Sequence, residues 1–431
     1  MANTPGTTGT AERTNSIQSV LSTGIQHEVA RTQVFGQFPY VPEDGAIPSG
    51  GAKAGQTVVM RFQQRMQPTL NTINERADIT PERVTDNQVS VTINEYGNAV
   101  QDTMLATIIT KGDLREELIH AIGENQTASL DRLAGRNYYE GQNLVFRANG
   151  VAARSDLDAT NDIMSASGVG MAFLTRATAA LRASRAPGFE MDGNGQSNYA
   201  TVIHTALAQD LPETAGFLPA LQYQSGRDEL FNGELGNIRG LRFTESAQGK
   251  VYPGAGATAQ AATTITASVA AGGTTCVVAS ATGIAVGDVI TLGAVEPGTS
   301  ATESEGTSTY ASLENVLVTG VSGTTITIAG LGYASGNIAT PGFRYDHASG
   351  TAVTEAALVA ALPIFGPRSV MKAYAAETGE FGEARITGPF DTLGRFHNFG
   401  WYAVMGWAKT NGLWTARLEV ATKFPHLVVN E

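Results

Sequence analysis

The chain has 431 residues, 49 of them glycine, with 16% charged residues, a formal charge of -12 at pH 7 and one cysteine; at roughly 150 residues per domain this predicts two to four compact units. No run of about 18 apolar residues occurs, which excludes a membrane-spanning helix, and the lone Cys276 excludes an internal disulfide or a cysteine metal site. The acidic balance argues against holding nucleic acid by net charge, because such binding needs Lys and Arg to displace counterions from phosphates.

Residues 1–16 carry only Glu12 and Arg13 as charges and few bulky apolar side chains, so they predict a mobile tail without the apolar core of a secretion signal. Residues 32–51 bring three prolines, four glycines and the aromatics Phe35, Phe38 and Tyr40. Proline and glycine oppose helix, so an extended strap docked through its aromatics is expected. In QTVVMRFQQRM, Val58, Met60 and Phe62 alternate with Val59, Arg61 and Gln63, and in QVSVTINEY Val89, Val91 and Ile93 share one face. Both runs have the period of a half-buried strand. The polar residues between them predict a long two-stranded loop that lies on a partner.

Asp113 and Glu116 form a capping pattern ahead of a long helix that carries Leu114, Leu118, Ile122, Leu130 and Leu133 at helical spacing. GMAFLTRATAALRASRA predicts a second helix, stopped by Pro187 and Gly188, and LRFTE reads as a strand. Residues 251–360 hold 8 of the chain's charged residues, with 19 threonines, 16 glycines and short β-rich runs between glycine turns. An inserted all-β domain is expected there, with its host built from both flanks. Asn411-Gly412, between two apolar runs, predicts a C-terminal hairpin.

Few residues suggest chemistry. GGAKAGQT has the glycine spacing of a phosphate loop, but Gln56 stands where the lysine is needed. Asp156, Asp158 and Asp162 offer oxygens to a hard cation, although short aspartates in a polar stretch read better as turn and cap residues. In DGNGQS the calcium-loop pattern fails at its twelfth position, Ile203. The histidines His27, His120, His204, His347, His397 and His426 have no ligand spacing, and Cys276 has no base nearby in sequence. No catalytic residue, metal ligand or cofactor is expected, and the chain reads as a non-enzyme. Straps and projecting loops suit head-to-tail contacts between copies.

GQTVVMRF, ENQTASLDRLAGRNYYEG, GELGNIRGLRFTES, LPIFGPRSVMKAYA and FDTLGRFHNFGWYAVMGW together resemble, in order, the major capsid proteins of tailed bacteriophages of the N-four type. The resemblance covers most of residues 25–248 and 361–425. It implies an α+β chain of the Hong Kong-type capsid fold: an arm at 1–54, an extended loop at 55–98, a peripheral domain with a spine helix at 99–165, and an axial domain at 166–250 and 361–397. The inserted β-rich domain occupies 251–360 and a peripheral β-hairpin 398–431. It further implies self-assembly into pentamers and hexamers around double-stranded DNA, with a portal, a possible cement or decoration protein and no membrane. The expected location is the virion capsid, assembled in the host bacterial cytoplasm. Expected inter-subunit contacts are Phe35, Phe38 and Tyr40, anchoring the arm on a neighbour, and Arg65, Glu75, Arg76, Glu82 and Arg83 on the loop. An encapsulin-like compartment and a β-rich adhesin or tail component are the alternatives.

Overall fold

The computed structural model describes residues 33–42, 46–47, 57–63, 86–103, 114–140, 144–166, 169–189, 198–214, 234–238, 240–252, 254–293, 313–329, 342–343, 345–387 and 396–423. In chain order these form strands β1 (Ala46–Ile47), β2 (Thr57–Gln63), β3 (Asp86–Thr92) and β4 (Asn94–Thr103), then helix α1 (Leu114–Tyr139) and β5 (Leu144–Arg147). Helix α2 (Gly170–Ala183), β6 (Tyr199–His204), the short α3 (Thr205–Ala208), β7 (Glu234–Ile238), β8 (Leu241–Ser246) and β9 (Val251–Tyr252) follow. Next come β10 (Thr258–Thr264), β11 (Thr275–Val277), β12 (Val289–Leu292), β13 (Glu314–Ser322), β14 (Thr325–Ala329) and β15 (Ala352–Ala356). The last are β16 (Val359–Phe365), β17 (Val370–Ala375), β18 (Glu383–Thr387), β19 (Phe396–Lys409) and β20 (Thr415–Ala421).

The chain divides into two compact units, one of residues 1–32, 39–130 and 370–410, the other of 33–38, 131–369 and 411–431. In the first unit, β19 pairs antiparallel with β4, β17 and β18, and β1 adds in parallel to β17. Trp401, Ala403 and Met405 alternate along β19 and pack with Ile122 and Leu130 of α1, the two periodicities of strand and helix meeting in one core. The indole N–H of Trp401 donates to Asn125 Oδ1 at 2.9 Å. On the other side of the sheet, Val91 and Ile93 pack with Met371, Ala373 and Val404. Gly406 permits this approach, because a Cβ there would stand 2.2 Å from the Thr92 carbonyl oxygen.

β2 and β3 form a separate antiparallel ribbon, with Val58 opposite Val91 and Met60 opposite Val89. The alternation read from the sequence holds at its base: Val58 is half-buried, Val91 is buried and Val59 is 46% exposed. The expected loop tip lies outside the described residues.

The second unit holds a seven-stranded sheet in the order β5-β20-β16-β6-β8-β7, with β9 also paired to β16. The strand β16 is buried along its whole length although Pro363 lies within it. Proline gives a ladder no N–H, and Pro363 falls between the β9 register at Val359 and Ala360 and the β6 register at Ile364 and Phe365. Helix α2 buries Phe173, Leu174, Ala177 and Leu181 and packs on β20. It ends at Ser184, with Arg185 at φ 54° and Pro187 just beyond, as its sequence predicts.

Strands β10 to β15 form a six-stranded antiparallel sheet in the order β10-β15-β12-β13-β14-β11. The sheet closes on itself: Thr266 N–H donates to Val277 O at 2.8 Å and Ala279 N–H to Thr264 O at 2.9 Å, joining the extensions of β10 and β11. Closure removes the free edges that make open sheets prone to association. The interior is filled by Ile265, Cys276, Ile290, Leu292, Val316, Val318, Ile326 and Phe343. Entry and exit lie side by side, with Gly256 N–H donating to Ala357 O at 2.9 Å and Ala357 N–H to Ala257 O at 3.1 Å.

Two expectations change. The long helix continues past Leu133 to Tyr139, because Tyr138 and Tyr139 are buried and their packing outweighs the fading helical pattern. Asn411-Gly412 does not turn a hairpin: β19 and β20 lie in different sheets. Asn411 is extended at φ -150° and its side chain accepts from Leu413 N–H, capping a short 3-10 turn at Gly412–Trp414. A two-residue hairpin of this type needs positive φ at both central residues.

Candidate assembly surfaces

Of the expected contact residues, Phe35, Phe38 and Tyr40 lie among the described residues. Phe35 lies in a 3-10 turn, Phe35–Gln37, and is wholly buried. Its ring packs on Tyr138 at 6.1 Å and edge-on to Tyr139 at 5.6 Å. Gly135 leaves room for it, since a Cβ there would come within 3.1 Å of the ring. Phe38 packs edge-on to Phe189 and Phe365 at 5.9 and 4.9 Å. Tyr40 exchanges backbone hydrogen bonds with the strand β17, its N–H donating to Val370 O at 2.9 Å and its carbonyl accepting from Lys372 N–H at 3.0 Å. Within one chain, then, these residues meet groups of their own chain: the Phe35 ring is wholly buried, the Phe38 ring nearly so, and Tyr40 is half-buried. Arg65, Glu75, Arg76, Glu82 and Arg83 lie outside the described residues.

What the described residues do present is an open face on the first unit. β4 is exposed along most of its length, with Val100 41% exposed. Beside it runs a shallow groove of about 340 Å³, lined by Gly97, Asn98, Arg385, Asn398, Gly400 and Tyr402 among others. Its floor is backbone: a Cβ on Gly97 would meet the Trp401 carbonyl oxygen at 2.8 Å, and one on Gly400 the Asn98 carbonyl oxygen at 2.7 Å. The Arg385 guanidinium lies 4.6 Å over the Tyr402 ring and 3.3 Å from Glu383.

Among the described residues a buried charge cluster that no sequence motif marks lies in the second unit. Glu419 on β20 is fully buried; its Oε1 accepts from Arg154 at 2.6 Å and lies 2.9 Å from the Arg417 guanidinium, and its Oε2 accepts from Arg147 at 2.8 Å. The Arg154 guanidinium stacks 3.5 Å over Tyr252, and Arg417 also donates to the Tyr139 carbonyl at 2.7 Å. Burial alone would push the Glu419 carboxyl up, but Arg154 and Arg417 more than reverse this and hold it below its usual range. The cluster ties β20, β5, β9 and the end of α1 together.

The aspartates read as turn and cap residues act as such. Asp158 Oδ1 accepts from the N–H groups of Thr160 and Asn161, which hold its carboxyl below the usual range. Asp162 accepts from Asp158 N–H at 2.9 Å and the Asn149 amide at 2.7 Å, and Asp156 from Ala153 N–H at 3.2 Å. Among the described residues no group of three or more His, Cys, Asp or Glu is placed to hold a metal ion. His204 is buried and accepts from Ala206 N–H at its own helix cap; burial pushes its pKa down to about 4. His347 is buried 2.5 Å from Glu314. Burial raises the Cys276 thiol to about 11, well away from the thiolate form that reacts. GGAKAGQT, up to its last residue, and the whole of DGNGQS lie outside the described residues, and no helix among those described is long and apolar enough to cross a membrane.

No protein-family model matches the sequence, and no curated protein matches it. Among solved structures, the capsid of Ralstonia phage GP4 is similar over 92% of both chains, with a TM-score of 0.51 at 13% identity. The Cyanophage Pam1 capsid is similar over 92% of this chain and 93% of its own, at 13% identity and a TM-score of 0.46. The acidic stable capsid of Helicobacter pylori bacteriophage KHP30 is similar over 91% and 92%, at 12% identity and a TM-score of 0.46. The likeness to the GP4 capsid is one of fold, and the fold of this chain is a bacteriophage capsid fold, with few helices and many strands.

Proposed function

We propose that this chain is the major capsid protein of a tailed bacteriophage of the N-four type, with the Hong Kong-type architecture. Its copies would build pentamers and hexamers of an icosahedral shell enclosing double-stranded DNA. The observation that carries this reading is the likeness of fold to the GP4 capsid over 92% of both chains. The ordered motifs from GQTVVMRF to FDTLGRFHNFGWYAVMGW and the long helix α1 add to it.

In this reading the ribbon of β2 and β3 is the base of the extended loop, and α1 is the spine helix of the peripheral domain. The residues flanking 251–360 form the axial domain, and the closed six-stranded sheet is the inserted domain. Its paired entry and exit near Gly256 and Ala357 suit a module added within a loop of its host. The loop charges Arg65, Glu75, Arg76, Glu82 and Arg83 touch the adjacent subunit. Exposed pairs contribute about 0 to 1 kcal/mol each, so they set register more than strength. A portal, and a cement or decoration protein, complete a particle assembled in the bacterial cytoplasm. The charge of -12 keeps the wall from trapping DNA during packaging.

Sedimentation velocity of the purified chain tests this reading. Species of capsomer or shell mass, built from the 45.0 kDa chain, are expected. Alanine at all five loop charges is expected to lower the yield of closed particles while leaving the unfolding of the free chain unchanged. Equal yield would remove those five residues from the interface.

A further inference from the structure

The strand β6 ends in a histidine that caps the helix after it. His204 is 4% exposed, and its Nδ1 accepts from Ala206 N–H at 3.0 Å, at the start of α3. A cap at this position works by accepting a backbone N–H. An imidazole nitrogen accepts only while it carries no proton, and both ring nitrogens are donors once the ring is charged. Gly249 closes over the residue, since a Cβ there would stand 2.8 Å from His204 Cα, and the buried Ala206 packs with Leu358.

We propose that His204 is an acid-sensitive catch: neutral, it holds the turn of residues 204–210 closed, and uptake of a proton opens it. A proton on Nδ1 would meet Ala206 N–H donor to donor, and its charge would be shut away from water. The ionisable groups on the surrounding elements are engaged elsewhere or stand apart. After α3, Asp210 accepts from Ser165 N–H at 3.2 Å and Glu213 is paired with Lys423. On β6 itself, the Tyr199 hydroxyl donates to Ala186 O at 3.1 Å. On β8, Glu245 stands opposite Ile203, on the other face of the sheet from His204, and Arg242 stands opposite Ala200, four residue pairs away. Lys250 lies 5.2 Å over the Tyr252 ring, Asp288 accepts from Ala285 N–H at 2.6 Å, and β16 carries no ionisable side chain.

The hydrogen bond and the burial act in one direction. The acceptor role of Nδ1 requires the neutral ring, and burial lowers the His204 pKa from 6.5 to about 4. Opening returns the ring to water and to its ordinary value, so the open turn binds the proton more tightly than the closed one. Closure is therefore level above about pH 6.5 and weakens as pH falls from there towards 4. The open fraction rises by up to about tenfold per pH unit through that window. This is a property of a single chain and does not depend on the capsid reading.

Amide hydrogen exchange of the full-length chain over residues 204–210, corrected for intrinsic rate, tests it between about pH 4.5 and 8, above the range in which Glu419 loses its charge. Opening that is level from about pH 7 to 8 and rises by about a hundredfold between pH 6.5 and 4.5 is expected. His204→Asn keeps an acceptor for Ala206 N–H but takes up no proton, so its profile should be flat. A flat profile in the unsubstituted chain, opening that falls with acid, or an unchanged slope in His204→Asn overturns the proposal. An equal acid response across β12, β13 and β14 overturns it as well, since the slope then belongs to unfolding at large. If His204→Asn does not fold, His204→Ser, which also caps, serves instead, and a retained slope overturns the proposal equally.

Discussion

The closed sheet of residues 258–356 and the seven-stranded sheet built from strands between residues 144 and 421 solve the same packing problem differently. The first takes all its strands from one run of sequence, fills its interior with aliphatic side chains, and its exposed positions carry mostly small neutral residues such as Thr266, Thr275, Thr319 and Thr327. The second gathers distant strands, pairing β5 with β20 and β6 with β16 and β8, and holds a carboxylate among three guanidinium groups. The closed module is filled mainly by hydrophobic side chains, with the buried Glu314–His347 pair at 2.5 Å as a local polar contact. An open sheet assembled from remote segments is fixed also by directional contacts, which are sensitive to the loss of one partner.

The largest effect that separates the two should come from Glu419→Gln. It leaves Arg154, Arg417 and Arg147 without their carboxylate and is expected to cost about 3 to 5 kcal/mol, seen as a lower urea midpoint. Hydrogen exchange should rise across β5, β16 and β20, while β12, β13 and β14 keep their protection. Joint loss of protection would mean that the two sheets unfold as one body. The converse variant, Ile326→Ala, removes buried aliphatic volume and should cost about 2 to 5 kcal/mol, with the exchange pattern reversed.

Gly256→Ala probes the junction. A Cβ there would stand 2.6 Å from the Leu157 carbonyl oxygen and 2.7 Å from Ala357 Cβ, and crowding of this kind costs about 1 to 3 kcal/mol. Loosening of the paired entry and exit is expected, read as faster exchange at residues 254–257 with the interior of the closed sheet unchanged. The smallest effect near neutral pH is acid sensitivity. Because Glu419 is held below its unfolded value of 4.5, its contribution is present above that pH and is lost as pH falls through the lower, folded value. Urea midpoints of the seven-stranded sheet should fall below about pH 4.5 more steeply in the unsubstituted chain than in Glu419→Gln, and parallel curves would contradict this account of the cluster.

Sequence patterns revealed what depends on neighbours close in the chain. The alternation of Val58 and Val59, the start of α1, the stop of α2 at Pro187 and the change of composition at residues 251–360 all report local periodicity or turn chemistry. Asn411-Gly412 misled for the same reason: the dipeptide suits a tight turn, but its flanking strands find their partners in β17 and β16, and tertiary pairing decides. Phe35 and Phe38 were recognisable as anchors but not by what they anchor to, since Tyr138 and Phe365 lie far along the chain. The Glu419 cluster was hidden altogether, with Arg147 and Arg154 separated from it by most of the sequence and no motif linking them. The groove beside β4 depends on glycines whose value is the close approach of two strands, which composition records only as abundance.

Electron microscopy of the purified full-length chain under assembly conditions tests the central claim most directly. Closed shells, or rings of five and six subunits, are the predicted result. A stable monomer across salt and pH, or fibres, would contradict it.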